Sequence, residues 1–288
     1  MGNRESLYNT TYLNKTTKYT KKFVFYLILS IGAFIMIFPF LWMVSTSLKT
    51  EGATMVLPPQ LIPNDISLDN YKRVAEAFPI MKFLFNSMLV AILSTLGQLL
   101  TASMAAYAFA RLKFKGRDIL FLLYLATLMV PSQITMIPQF ILVSKIGWLD
   151  TYQGLIVPGI FTAFGTFLLR QHFLTIPKSL EEAAFIDGAS HFRVFWQIIL
   201  PLSKSALATL GIFSFMQSWN NFLWPLIIIN DKNMMTLPLG LSNLQGRWAT
   251  DWNLLMAGVV ISVIPILIVY LSAQKYFVKG ITLSGLKE

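Results

Sequence analysis

Six stretches of the chain contain no Asp, Glu, Lys or Arg: Phe23–Leu48, Phe83–Ala110, Ile119–Ser144, Thr151–Leu169, Ser205–Asn230 and Trp252–Gln274. The shortest is 19 residues long, and a helix needs about 20 mostly apolar residues to cross a bilayer core. The pattern predicts an all-α, polytopic membrane protein with six transmembrane helices, at about 23–46, 83–110, 119–144, 151–170, 205–230 and 252–274. They form one domain over 23–277, preceded by a polar, threonine-rich lead (1–22) and followed by a short tail (278–288). A polar loop, 171–204, separates the fourth and fifth spans.

The connections carry their own signals. Pro58, Pro59, Pro63 and Pro79 rule out one long helix between the first two spans, although "SLDNYKRVAEAF" offers a short one started by Ser67 or Asp69. Gly116 suits the tight basic turn after the second span. Pro131 and Pro138 break the third span near its outer end or turn it into a re-entrant stretch.

Composition agrees with lipid. The chain is 55% hydrophobic and 12% charged, with a mean hydropathy of +0.62, where soluble domains carry about 25% charged residues. The net charge of +10 is a matter of orientation. With the N-terminus in the cytoplasm, sixteen of the 23 Lys and Arg fall on inside segments, Arg111, Lys113, Lys115, Arg117 and Lys178 among them. That bias obeys the positive-inside rule and puts both termini in the cytoplasm, with no need of a nucleic-acid partner. The first apolar stretch exceeds a signal peptide's h-region and lacks a cleavage site, so it is expected to be retained. With no cysteine, disulfides and thiol chemistry drop out.

Catalytic patterns are missing too. There is no G-x-x-x-x-G-K-[ST] phosphate loop, no Gly-x-Ser-x-Gly and no HExxH. His172 and His191 stand outside any metal-ligand spacing and read as structural or interfacial, so no metal site is expected. The charge-free spans lack the intramembrane acids on which proton-coupled carriers usually rely.

One polar stretch stands out, "EEAAFIDGASHFRVFWQIILP". Ser179 followed by Glu182 has the form of a capping box, Pro177 stops a helix arriving from the fourth span, and Gly188 suits a left-handed helix end. A short helix, Leu180–Asp187, a turn and a second helical stretch, Ala189–Leu200, are predicted across the cytoplasmic mouth. On physics alone, an amphipathic helix holding lipid phosphates through Arg193 and Lys204 fits equally well.

The spacing Glu182-Ala183-Ala184, three residues, Gly188, nine residues, Ile198, one residue, Leu200-Pro201 matches the EAA signature of ABC importer permeases. "AAYAFARLKFKGR", "MVPSQITMIP", "WNNFLWPL" and "AQKYFVKGIT" add to it. Over roughly residues 20–283 the chain resembles the shorter, six-span permease subunit of maltose-type sugar importers, with a MetI-like core. It departs where Asn221 replaces a common acidic residue and where the chain ends "SGLKE". The resemblance implies a coupling helix docked on a separate ATPase, with Ser179, Glu181, Glu182, Ala183, Ala184, Asp187, Gly188, Arg193 and Pro201 as coupling residues. Glu182 would meet a basic group there, and the two alanines would let the backbones approach. No cofactor is expected on this chain, with ATP and magnesium on the ATPase. A second permease, two ATPase subunits and an extracytoplasmic solute-binding protein are the implied partners, in a prokaryotic inner membrane.

Gln217, Asn220, Asn221 and Trp224 share one face of a continuous fifth helix, and Asn86 and Gln98 lie in the second. They are candidates for the translocation path, since amides and aromatic rings suit a neutral, polyhydroxylated solute. The alternative use of such residues is to join helices or to lie at the interface. Leu237, Gly240, Gln245 and Trp248, in the connection before the last span, are candidates for contact with the binding protein. A secondary carrier working without an ATPase is the competing function, and it leaves the polar loop without a role.

Overall fold

The computed structural model describes residues 2–50, 52, 54, 58, 60–244 and 250–285. They form helices α1 (Gly2–Ser47), α2 (Asp69–Ala77), α3 (Ile80–Arg111), α4 (Arg117–Ala126), α5 (Ser132–Lys145), α6 (Tyr152–Ile156) and α7 (Ala163–Thr175). There follow α8 (Ser179–Ile186), α9 (His191–Val194), α10 (Leu200–Leu202), α11 (Lys204–Trp219), α12 (Leu223–Ile228), α13 (Leu237–Ser242) and α14 (Trp252–Gly285).

Three helices are long and apolar enough to cross a membrane unbroken: Thr20–Ser47 within α1, α3, and Trp252–Ser272 within α14. Three further spans are helix pairs bent at a short break, by 99° between α4 and α5, 45° between α6 and α7, and 79° before α11. Six spans are therefore available, as predicted, but half of them are broken. The first bend has a local cause. Val130 is extended (φ −86°, ψ 116°), the conformation forced on a residue that precedes proline, and α5 restarts directly after Pro131. At the second, a 3₁₀ turn containing Pro158 ends at Gly159, and Thr162 caps α7 by accepting from the Gly165 amide (3.2 Å). Before the third, a π-helical turn, Phe195–Ile199, lies between α9 and α10, and Ser203 Oγ donates to the Ile199 carbonyl (2.7 Å).

Several predicted boundaries shift. The polar lead is helical and continuous with the first span, since α1 runs without interruption from Gly2 to Ser47. The tail from 278 likewise continues α14 as far as Gly285. The fifth span does not reach 230 as one helix: α11 stops at Trp219, and α12 begins at Leu223.

The chain divides into two compact units, residues 1–71 with 252–260, and 72–251 with 261–288. In the first, the last carbonyls of α1 have dedicated donors. Asn70 Nδ2 donates to the Ser47 and Lys49 carbonyls, and Asn253 Nδ2 to those of Lys49 and Thr50. These bonds satisfy acceptors that a helix end leaves open. Ser67 Oγ accepts from the Asp69 amide at the start of α2, the role expected of it.

The second unit is organised around α3, which packs mainly on α7 and α11. Ala102, Ala106 and Ala110 form a buried small-residue stripe on α3, against which Leu169 and Phe173 of α7 and Leu210 of α11 pack. Small residues let helices approach closely where lipid removes the hydrophobic drive to associate. A separate cluster joins Val90, Val143, Leu155, Trp224, Ile228 and Leu239 near α5, α6 and α12.

Candidate functional site

The loop between α7 and α11 is built as helix, turn, helix. Ile176 is extended (ψ 129°) as it enters Pro177, and α8 begins at Ser179. The expected capping box does not form. Lys178 is already helical (φ −64°, ψ −27°), and α8 has no side-chain cap, so Ser179 lies inside the first turn. The Pro177 and Lys178 carbonyls take the first helical amides instead, from Leu180 and Glu181. Glu181 and Glu182 occupy that first turn, where the helix dipole favours negative charge.

The far end of α8 is a complete Schellman motif. The Ala189 amide donates to the Ala184 carbonyl (2.9 Å) and the Gly188 amide to that of Phe185 (3.0 Å), with Gly188 at φ +81°. A Cβ at Gly188 would meet nothing within 4 Å. The glycine is needed for its backbone conformation alone. Ser190 then caps α9 by accepting from the Arg193 amide (3.3 Å).

Burial divides the predicted coupling residues. Ser179, Glu182, Ala183, Asp187, Gly188, Arg193 and Pro201 are exposed, and Ile186 beside them is 86% exposed. Ala184 instead packs on the buried core of α3 and α7, so only Ala183 is open to a partner. Glu181 also turns inward, and its Oε1 lies 2.6 Å from Arg111 Nε, with both side chains over nine-tenths buried. The Nε–H does not point along that line, so the contact is ionic rather than a formed hydrogen bond. Arg111 Nη2 donates to the Phe173 and Ile176 carbonyls (2.6 and 2.7 Å) at the end of α7, the first of which also accepts from the Ile176 amide. Burial pushes the Glu181 carboxyl up, against the pull of Arg111 and, more weakly, of His191 and Lys178. His191 stacks edge-on against Phe185 (4.8 Å) and lies 3.4 Å from the Tyr107 hydroxyl, a packing role.

The polar candidates of the spans also divide. Gln217, Asn220, Asn221 and Trp224 come together, but across the break between α11 and α12 rather than on one helix face. With Ser132 and Gln139 of α5 they line a partly open recess of about 430 Å³. An adjoining cavity of about 110 Å³ includes Gln98 and Ser94; only the larger has the volume of a small-molecule site. Among the described residues, neither lining contains a charged one. The Gln217 side chain makes no hydrogen bond among the described residues, whereas Asn220 Nδ2 donates to the Met216 carbonyl (2.9 Å). Trp224 is buried, and its indole donates to the Gly154 carbonyl (2.9 Å).

Asn86, a path candidate, has its amide occupied within the fold. It is fully buried, donates to the Asn233 and Met235 carbonyls and accepts from the Tyr152 hydroxyl (2.7 Å). Gln98 is similarly occupied, donating to the Gly159 carbonyl (2.9 Å) and accepting from Ser214 (2.6 Å). Gln98 holds irregular backbone at the break between α6 and α7, and Asn86 holds the connection between α12 and α13. Leu237 and Gly240 are not surface contacts. Leu237 is fully buried, its amide donating to Ser87 Oγ (2.7 Å), and Gly240 lies so close to the Phe83 ring that a Cβ would overlap it. Gln245 and Trp248 fall outside the described residues.

A family model for the inner membrane component of binding-protein-dependent transport systems matches residues 98–283. The chain belongs to that family. The match begins at Gln98 in α3 and takes in the polar loop, the recess and most of α14. The permease is 38% identical over 262 residues to an arabinooligosaccharide transport permease of Halalkalibacterium halodurans, covering 88% of this chain and 92% of that one. It is 35% identical over 266 residues to an sn-glycerol-3-phosphate transport permease of Brucella abortus, covering 89% and 94%. Among solved structures it is similar to a chain of a bacterial ABC transporter that imports the acidic polysaccharide alginate, with TM-score 0.80, 26% identity, and 88% and 95% coverage. The MetI-like fold is thus shown, and the permease is a membrane component of an ABC import system.

Sequence reasoning missed Arg111, Ser190, Ser132 and Gln139. Ser190 was legible as a serine directly after the predicted glycine turn. Arg111 looked like one more cytoplasmic positive charge, and only the path of the chain shows that it is buried.

Proposed function

We propose that this permease is one of two membrane subunits of an ATP-driven importer for a sugar or oligosaccharide. Both of its termini lie in the cytoplasm, and it catalyses no reaction itself. ATP and magnesium belong to two ATPase subunits, and an extracytoplasmic binding protein delivers the solute. The observation that carries this reading is the outer face of α8. Ile186, Glu182 and Ala183 are exposed on a short helix that is fixed at both ends, next to the exposed Phe192 (69%). An exposed aliphatic residue beside acid and alanine, on a rigid support, suits docking into a partner's cleft.

Substrate class is argued from the recess. Gln217, Asn220 and Asn221 offer amides beside Phe222 and Trp224, with no charge in the lining. That set hydrogen-bonds hydroxyls and packs against sugar rings, and it favours a neutral solute over the anionic ones named for two of the relatives.

Purification of the tagged permease from native membranes in mild detergent, with companions identified by mass spectrometry, tests the assembly. An ATPase with a phosphate loop and a second permease are expected. A chain that purifies alone and carries sugar into vesicles without ATP would replace this reading with a secondary carrier.

A further inference from the structure

Arg111 is the last residue of α3 and bonds to two other elements. Its guanidinium holds the closing carbonyls of α7, Phe173 and Ile176, and faces the carboxylate of Glu181 on α8. One buried side chain therefore joins the helix at the centre of the second unit, the helix packed most closely on it, and the exposed loop. Apolar and aromatic side chains pack around the pair, with His191, Lys178 and Glu182 acting more weakly on Glu181 than Arg111 does. Tyr107, one turn back on α3, packs at a tilt against Phe195 of the π turn (5.3 Å, 54°), and Val194 and Ile199 are fully buried in the same core. Glu182, the neighbouring acid, is exposed, so the two glutamates have separate surroundings.

We propose that Arg111 and Glu181 form a positioning clasp. The pair fixes the angle of α8 to α3, so that a force on α8 turns α3 and α7 together rather than bending the loop. On this reading Glu181 makes no contact with a partner, and Glu182 is the outward acid. Direction comes from the two hydrogen bonds that fix the guanidinium on the Phe173 and Ile176 carbonyls, and the ionic contact holds Glu181 to that fixed group. A buried pair broken on one side leaves an uncompensated charge, whereas replacing both members with apolar groups often restores stability. That difference separates positioning from packing.

The chain has no cysteine, so spin labels can be placed cleanly at Ile186→Cys on α8 and Met104→Cys on the exposed side of α3. The interspin distance would be measured by pulsed electron resonance on the full chain in lipid nanodiscs. A narrow distribution is expected, widening in Glu181→Gln and staying wide in the Arg111→Met/Glu181→Leu double variant, even where that variant restores the yield of folded chain. In the unlabelled, complete importer, each variant should keep basal ATP hydrolysis while solute moved per ATP falls about tenfold, within the usual range of coupling between sites. A distribution as narrow in Glu181→Gln as in the parent overturns the clasp. So does a double variant that recovers both the narrow distribution and the coupling ratio. The uptake arm rests on the function proposed above, but the distance arm does not. If the parent importer showed no ATP-dependent uptake, that function would fail while the distances still decided the clasp.

Discussion

The polar loop and the polar recess were both predicted from uncharged or mixed residues at helical spacing, yet the two predictions fared differently. In the loop, seven of the nine named residues are exposed, and the glycine turn forms as expected. In the spans, the Asn86 and Gln98 amides are taken by internal carbonyls, while Gln217, Asn220 and Asn221 around the α11–α12 break line the larger recess. The difference follows from solvent. In a loop, water satisfies polar groups, so a side chain is free to face a partner. At membrane depth no water is available and every broken helix leaves carbonyls that need donors. The nearest amide is drawn to them first, and Gln217 is left without such a partner, facing the recess.

The largest expected effect comes from breaking the buried side of this comparison. Asn86→Leu leaves the Asn233 and Met235 carbonyls and the Tyr152 hydroxyl without their partner, at about 1–3 kcal/mol for each group left unpaired. Chain recovered from membranes at 37 °C should fall sharply, and fluorescence-detected size exclusion should show aggregate. A normal monodisperse peak would return Asn86 to the list of solute ligands. Next in size is Gly188→Val on the exposed side. The left-handed conformation costs an L-residue about 1–2 kcal/mol, enough for about a tenfold shift between states. Membrane levels should hold while ATP-dependent uptake falls by about that factor. Unchanged uptake would mean that the turn geometry carries no coupling.

The sequence made the number of spans legible because lipid excludes charge, and six charge-free stretches leave little choice. The breaks inside three of them were only partly legible. Pro131 marked one, but nothing in "QSWNNFLW" distinguishes a helix face from a helix end, and Asn220 to Phe222 turned out to be the break. The cap of α8 misled for a related reason. Ser179 and Glu182 have the right spacing, but Pro177 presets the backbone so early that Lys178 is already helical. Ser190, followed at the third position by Arg193 rather than Glu or Gln, does the capping instead. Arg111 was hidden because a count of cytoplasmic charges gives a number without a location.

A smaller effect sharpens the recess. Gln217→Ala removes one free amide, worth about 1 kcal/mol or about fivefold in solute affinity. It should raise the KM of uptake with little change in protein level. Gln98→Ala should do the reverse, since it strips the Gly159 carbonyl and the Ser214 hydroxyl of their partner. If both variants changed KM alike, the division between structural and solute-facing amides would be wrong.

The smallest effects, and the ones that read burial most directly, come from two carboxylates outside the spans with opposite shifts. Asp150 accepts from the Asn230 and Asp231 amides, and those bonds, chiefly that of Asp231, hold its carboxyl below the usual 3.8. Its contribution is present at neutral pH and is lost only as pH falls through that lowered value. Glu181 is raised above the usual 4.5 by burial, so below 4.5 the folded state gains from its protonation, and that gain is lost as pH rises through the shifted value. Thermal midpoints of the purified permease, compared with Glu181→Gln across mildly acidic pH and with Asp150→Asn below 3.8, should therefore diverge in opposite directions. On acidification the parent should gain on Glu181→Gln, and at the acid extreme it should lose to Asp150→Asn. If the Glu181 difference instead had the Asp150 sign, the attraction of Arg111 would outweigh desolvation. Glu181 would then be an ordinary salt bridge, held charged at every working pH.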